Sequence, residues 1–179
     1  LKHSKILNDV AMEASVLASL ADISLKRGDY EKSLKLHRQA LEIFVSIEDG
    51  VGAARTYNNM GFIFRRKGGI TSAKEAYSNV EEILSTEENT ELIHSRILLA
   101  RSWLEMGEVE KARDHALKCH EETVSQPDKA LHARARAVLG RFYAKTGDSE
   151  LALHHYSEAL EQMGQDGDPI ALIESIHSK

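Results

Sequence analysis

Apolar residues fall along the chain at helical spacing, and glycines interrupt them at regular intervals. Over 9–27, Val10, Leu17, Leu20, Ala21 and Leu25 lie on one stripe, which predicts a helix. Gly28 ends it, because glycine adopts the left-handed conformation of a helix C-terminus without a steric penalty. Asp29 is placed to cap a second helix over 30–47, whose inner face carries Leu34, Ala40, Leu41 and Phe44. The stretch 26–41, KRGDYEKSLKLHRQAL, thus reads as a helix end, a turn and a helix start, and it recurs around Gly68, Gly107 and Gly147. The spacings are 40, 39 and 40 residues, within the range of stacked helical repeats.

The same pattern predicts helices near 51–67 and 70–84, near 92–106 and 109–124, and near 129–146 and 150–163. These make four units, at about 9–47, 51–84, 90–125 and 129–163. The acidic connection 85–91 offers Thr86 or Thr90 as a cap. Residues 1–7 read as the tail of an earlier helix, and 169–179 as the start of another. The chain is therefore expected to be one continuous array over 1–179, cut from a longer protein.

Aligning the units on their glycines separates small positions from large ones. Seven residues before the glycine stand Ala21, Gly61, Ala100 and Gly140, and five after it stand Ser33, Ala73, Ala112 and Ala152. Phe64, Trp103 and Tyr143 lie four before it, and Tyr77 and Tyr156 nine after. Small residues where helices cross and large ones between the crossings are what interdigitating helices require.

This register resembles the tetratricopeptide repeat, most completely in the fourth unit: Leu139, Gly140, Tyr143, Gly147, Ala152, Tyr156 and Ala159. The period resembles the long-repeat branch of that family, about 40 residues rather than 34. The resemblance implies an all-α, right-handed solenoid of stacked antiparallel helix pairs that binds protein without catalysis. Arg96 and Arg136 depart from the pattern, standing where the family has a large apolar residue. Their stems are expected to pack while their heads reach solvent.

Composition adds limits. Two prolines, 42% hydrophobic and 28% charged residues suit an ordered helical protein, and no apolar run reaches the roughly 18 residues of a membrane span. The single Cys119 permits no intrachain disulfide and, with no signal segment, points to the cytoplasm. A net charge of −5 gives no general reason to expect nucleic acid. Nine histidines invite a metal, with His115 and Cys119 four apart and His120, His154 and His155 nearby, but no CxxC or HExxH accompanies them. Cys119 is expected in the core and the histidines on the surface, with no metal, no cofactor and no catalytic residue. RRKGGITSA lacks the spacing of a phosphate loop and reads as an interhelical turn.

Charge then changes the picture. In the resembled fold the first helix of each pair lines a concave groove, at positions thirteen, ten, nine, six, three and two before the glycine. Here those positions hold Lys26, Arg55, Arg65, Arg66, Arg101, Arg134, Arg141 and Lys145, with Asn58, Asn59 and His94, opposed by Asp22 and Glu105. The second helices and connections carry most of the acids, Glu31, Glu42, Glu75, Glu110 and Glu158 among them. The expected partner is an acidic or extended peptide, drawn by charge and held by forked bonds from Arg101 and Arg141 while Asn58 and Asn59 contact its main chain. The alternative is a regulatory or self-association segment of a multidomain signalling or transcription-regulating protein that contacts its own neighbouring domain or a second copy, with homodimer pairing favoured through Ile170, Leu172, Ile173 and Ile176 at truncated helix ends.

Overall fold

The structure is a computed structural model that describes residues 2–86, 90–124 and 127–164, with side chains described from residue 9 onward apart from that of residue 90. The helices are α1 (Lys2–Lys26), α2 (Tyr30–Ser46), α3 (Gly50–Arg66), α4 (Ile70–Thr86), α5 (Ile93–Glu105), α6 (Val109–Val124), α7 (Lys129–Thr146) and α8 (Ser149–Met163), with a short 3-10 turn at Thr90–Leu92. They pack as antiparallel pairs, and each predicted helix within the described residues is present to within two residues at its C-terminal end. The one displaced boundary is the first. The sequence has no Gly or Pro before Gly28, so the helix runs unbroken from Lys2. Ile170, Leu172, Ile173 and Ile176 lie outside the described residues.

The turns arise from local chemistry. Gly28, Gly68, Gly107 and Gly147 have φ of +79°, +80°, +81° and +93°. In each turn the amide after the glycine donates back to the carbonyl five residues earlier, as Asp29 to Ser24 at 3.0 Å and Asp148 to Tyr143 at 3.0 Å. This closes the orphan carbonyls of the ending helix. Aspartates then start the next helices: Asp29, Asp49, Asp128 and Asp148 accept from Lys32, Gly52, Leu131 and Leu151 amides at 2.9–3.1 Å. Each such cap is worth about 1 kcal/mol. Thr86 does not cap the connection, because its hydroxyl donates back to Glu82 and Ile83 inside α4.

The chain divides into two compact units, Leu1–Ser95 and Arg96–Lys179. In the first, Ala14, Ala18, Ala40, Phe44 and Ala53 form one buried cluster, and Leu34, Met60 and Ile63 another. Gly61 lies against Tyr77 so closely that an added Cβ would meet the ring at 2.4 Å, and the Ser33 hydroxyl donates to the Ala21 carbonyl at 2.8 Å. In the second unit Ala100, Ala116, Val138 and Leu139 join α5, α6 and α7, while Ala133, Ala137 and Ala159 join α7 to α8. The small positions are thus the helix crossings.

Arg96 corrects one expectation. Its side chain is buried, and its Nε donates to Glu122 Oε2 at 3.1 Å, so the head is paired inside the second unit instead of reaching solvent. Arg136 is similarly committed, in an ion pair with Glu158 and with Nε 3.3 Å from His132 Nε2. A guanidinium that cannot reach water needs an acid within the fold.

Candidate functional site

In the first unit Lys26, Arg55, Arg66 and His94 are exposed, and Arg65 is half-buried. The helical spacing of α3 brings both Arg65 and Arg66 over the Phe62 ring, with guanidinium carbons 5.5 Å and 5.2 Å from the ring centroid. Asn59 Nδ2 donates to Asp22 Oδ1 at 2.8 Å. Asn58 is not presented to a ligand. It is buried, and its Nδ2 donates to the Ser95 carbonyl at 3.0 Å. Its register equivalents Ala18 and Ala137 are buried too, and Ile97 is half-buried and packed against the core, so the position ten before the glycine faces inward.

The second unit brings three charged groups together. Arg101 Nε and Arg141 Nη2 each lie 3.1 Å from Glu105 Oε1, one arginine from the same helix and one from α7. The spacing of four within α5 and the passage of α7 beside it produce this convergence. Lys145 extends it: its Nζ donates to the Leu104 carbonyl at 2.5 Å, at the end of α5 where unpaired carbonyls gather. Arg134 stands exposed on the first half of α7. Asp22 and Glu105, the two acids among the positions expected to line a groove, are therefore both engaged, Asp22 with Asn59 and Glu105 with two arginines.

Behind Asp22 lies His37, fully buried on α2, with Nε2 3.5 Å from Asp22 Oδ1 and with no hydrogen-bond partner at either ring nitrogen. Burial lowers its pKa below 6.5. Asp22 opposes that shift and Arg55 reinforces it. The ring is neutral because its desolvation outweighs the neighbouring carboxylate.

In the second unit two histidines that the sequence singled out, His120 and His155, meet a third that it did not, His132. His120 of α6, His132 of α7 and His155 of α8 gather beside Arg136, with ring centroids 5.4 Å apart for His120–His132 and 6.2 Å for His120–His155. Tyr143 stacks on His155 at 5.3 Å. Burial first, then Arg136 or a neighbouring histidine, lowers the pKa of all three. The three rings come from three helices, so no local spacing announces them. Among the described residues no group of three or more His, Cys, Asp or Glu is arranged to hold a metal ion. Cys119 is fully buried, and burial pushes its thiol pKa far up, which disfavours the thiolate that a metal needs. A shallow hollow of about 250 Å³ in the first unit, lined by Phe44, Tyr57, Glu82 and Ile83 among others, has three acids and no basic residue in its lining. No described helix is long and apolar enough to cross a membrane.

Comparison with curated proteins finds no match. Among solved structures, the chain is similar to BtubC (BKLC) from P. vanneervenii, at 19% identity over 83% of this chain and 62% of that one, with a TM-score of 0.66. It is also similar to the apo form of RapI, at 15% identity over 92% of this chain and 47% of that one, with a TM-score of 0.65. MamA matches at 21% identity over 91% and 85%, with a TM-score of 0.54. The chain thus spans less than two thirds of the first two structures, and at these identities the likeness is one of fold. Family models described as tetratricopeptide repeat match residues 12–85, 93–118 and 133–162, together well over half of the sequence. With the stacked small residues and the four glycine turns, these matches place the chain in the tetratricopeptide repeat family.

Proposed function

We propose that this chain is a non-catalytic protein-interaction module that holds an acidic, extended segment of a protein partner against its basic faces. Protein–protein interaction is the usual role of the family. The observation that carries the acidic preference is the convergence of Arg101 and Arg141 on Glu105. Two guanidiniums already oriented toward one carboxylate are oriented for a second, which gains forked, charge-assisted bonds with little side-chain ordering left to do. Arg134 and Lys145 add attraction in the second unit, and Lys26, Arg55, Arg65, Arg66 and His94 in the first. Asn59, half-buried beside Asp22, is the amide that meets a peptide main chain in this reading. We assign the chain to the long-period branch on its glycine spacing of 39 to 40 residues, although the matched segments 93–118 and 133–162 fit the ordinary repeat length. The buried free thiol of Cys119 suits a reducing compartment such as the cytoplasm.

Fluorescence anisotropy tests the reading. A labelled peptide rich in Asp and Glu is expected to bind, with affinity falling steeply as salt rises, while a peptide of the same length with Asn and Gln in their place binds weakly or not at all. Equal binding of both peptides, unaffected by salt, would refute the acidic preference.

A further inference from the structure

The outer face of α1 carries an apolar stripe. Met12, Val16, Leu20 and Ile23 follow helical spacing along it, and all four are between 46% and 63% exposed. Their positions are sixteen, twelve, eight and five before the turn glycine. In α3 those positions are Gly52, Thr56, Met60 and Ile63, and in α7 they are Leu131, Ala135, Leu139 and Phe142. All eight are buried. The second helix of the preceding pair covers them: Leu34 of α2 shares a cluster with Met60 and Ile63, Phe44 presses on Gly52, and Ala116 of α6 packs with Leu139. The stripe on α1 is thus the receiving half of an interface that the fold builds twice elsewhere.

The giving half is exposed as well. α2 presents Leu34, Leu41 and Phe44 at six, thirteen and sixteen after its glycine, and α8 carries Leu153, Leu160 and Met163 at the same three positions. Leu153 is 69% and Leu160 is 47% exposed, and Met163 is half-buried. Charge matches in the same register. Glu31, three after the glycine in α2, pairs with Lys67, one before the next glycine. The equivalents are Glu150 in α8 and Arg27 after α1, both exposed.

We infer that α8 of one copy docks on the α1 stripe of a second copy as α2 docks on α3, giving head-to-tail association. Leu153 and Leu160 cover Val16, Leu20 and Ile23, flexible Met163 meets Met12 where Phe44 meets Gly52, and Glu150 pairs with Arg27. The contact is heterologous, with different surfaces on the two partners, so it extends into chains unless the rotation closes a ring. It does not depend on peptide binding.

Sedimentation velocity across a concentration series tests it. The wild-type chain is expected to gain mass as concentration rises. Val16→Glu with Leu20→Glu, altering the receiving face, and Leu153→Glu with Leu160→Glu, altering the giving face, each abolish that gain while helical circular dichroism and the melting temperature persist, because all four residues are exposed. An equimolar mixture of the two variants forms a dimer and stops there, since one intact face remains on each. Arg27→Glu weakens association, and mixing it with Glu150→Arg restores it. A wild-type chain that stays monomeric, a receiving-face variant that still associates, or a mixture with no dimer would each overturn the inference. Association lost with the receiving-face change but kept with the giving-face change would mean a symmetric α1 contact and would overturn it too.

Discussion

Arg141 of α7 places its Nη2 3.1 Å from Glu105 Oε1, the same oxygen that Arg101 approaches from within α5. The protein's own carboxylate thereby competes for the two guanidiniums that are proposed to take a partner's carboxylate as well. Glu105→Gln should remove that internal competitor and tighten an acidic peptide by roughly 3- to 10-fold, on the scale of one partly exposed ion pair. Isothermal titration checks this, and weaker binding by the variant would mean that Glu105 is needed to hold the arginines in place.

Gly61 faces the buried ring of Tyr77, where an added Cβ would approach to 2.4 Å. In an isolated helix Gly→Ala gains about 1 kcal/mol. Here Gly61→Ala should instead lower stability by about 1–2 kcal/mol, because overpacking a rigid ring costs more than helix propensity returns. Urea denaturation reads the sign directly, and a stabilised variant would show that the crossing is looser than the geometry requires.

Glu122 neutralises the buried Arg96 at 3.1 Å. Glu122→Ala should cost about 2 kcal/mol, below the 3–5 kcal/mol of a fully buried pair because the glutamate is partly exposed. Arg96→Leu, which restores the apolar residue of the repeat pattern and leaves Glu122 near solvent, should cost less or stabilise. The difference between the two melting temperatures is the measurement, and the reverse order would contradict this role for Arg96.

His37 is buried and neutral, with its pKa lowered below 6.5 by desolvation. The unfolded chain therefore binds a proton that the folded chain does not as pH falls through 6.5. Stability is present above that value and declines below it, by at most ~1.4 kcal/mol per pH unit for each such group. His120, His132 and His155 are shifted in the same direction and add to the slope. Melting temperature between pH 7.5 and 5.5 should fall, and His37→Leu should flatten the profile. An unchanged slope in that variant would remove His37 from the explanation.

What the sequence made legible was whatever depends on neighbours along the chain or on a repeated register. The turn glycines declared themselves because only a positive φ ends these helices in this way. The Asp29 cap was legible beside the first of them, and the small residues at Ala21, Gly61, Ala100 and Gly140 came from aligning the units on these glycines, whereas the caps at Asp49, Asp128 and Asp148 emerged only in the structure. Partnerships across helices were not legible. Arg96 looked like a snorkelling residue because Glu122 is 26 residues away, and Asn58 looked accessible because its helix face is settled by where Ser95 lies. The histidine cluster needed three helices to meet. Arg101 and Arg141 were legible as basic positions, but their shared hold on Glu105 was not, since it depends on how α5 and α7 pass each other.

Capture of an acidic segment by the paired arginines is tested most sharply by the affinity of an Asp- and Glu-rich peptide for the wild-type chain and for Arg101→Glu/Arg141→Glu, measured by anisotropy at low and at physiological salt. The double charge reversal is expected to abolish binding at both, while a Lys-rich peptide of equal length gains affinity for the variant. Superimposable curves for wild type and variant with the acidic peptide would contradict that binding mode and leave the basic positions as solvated surface.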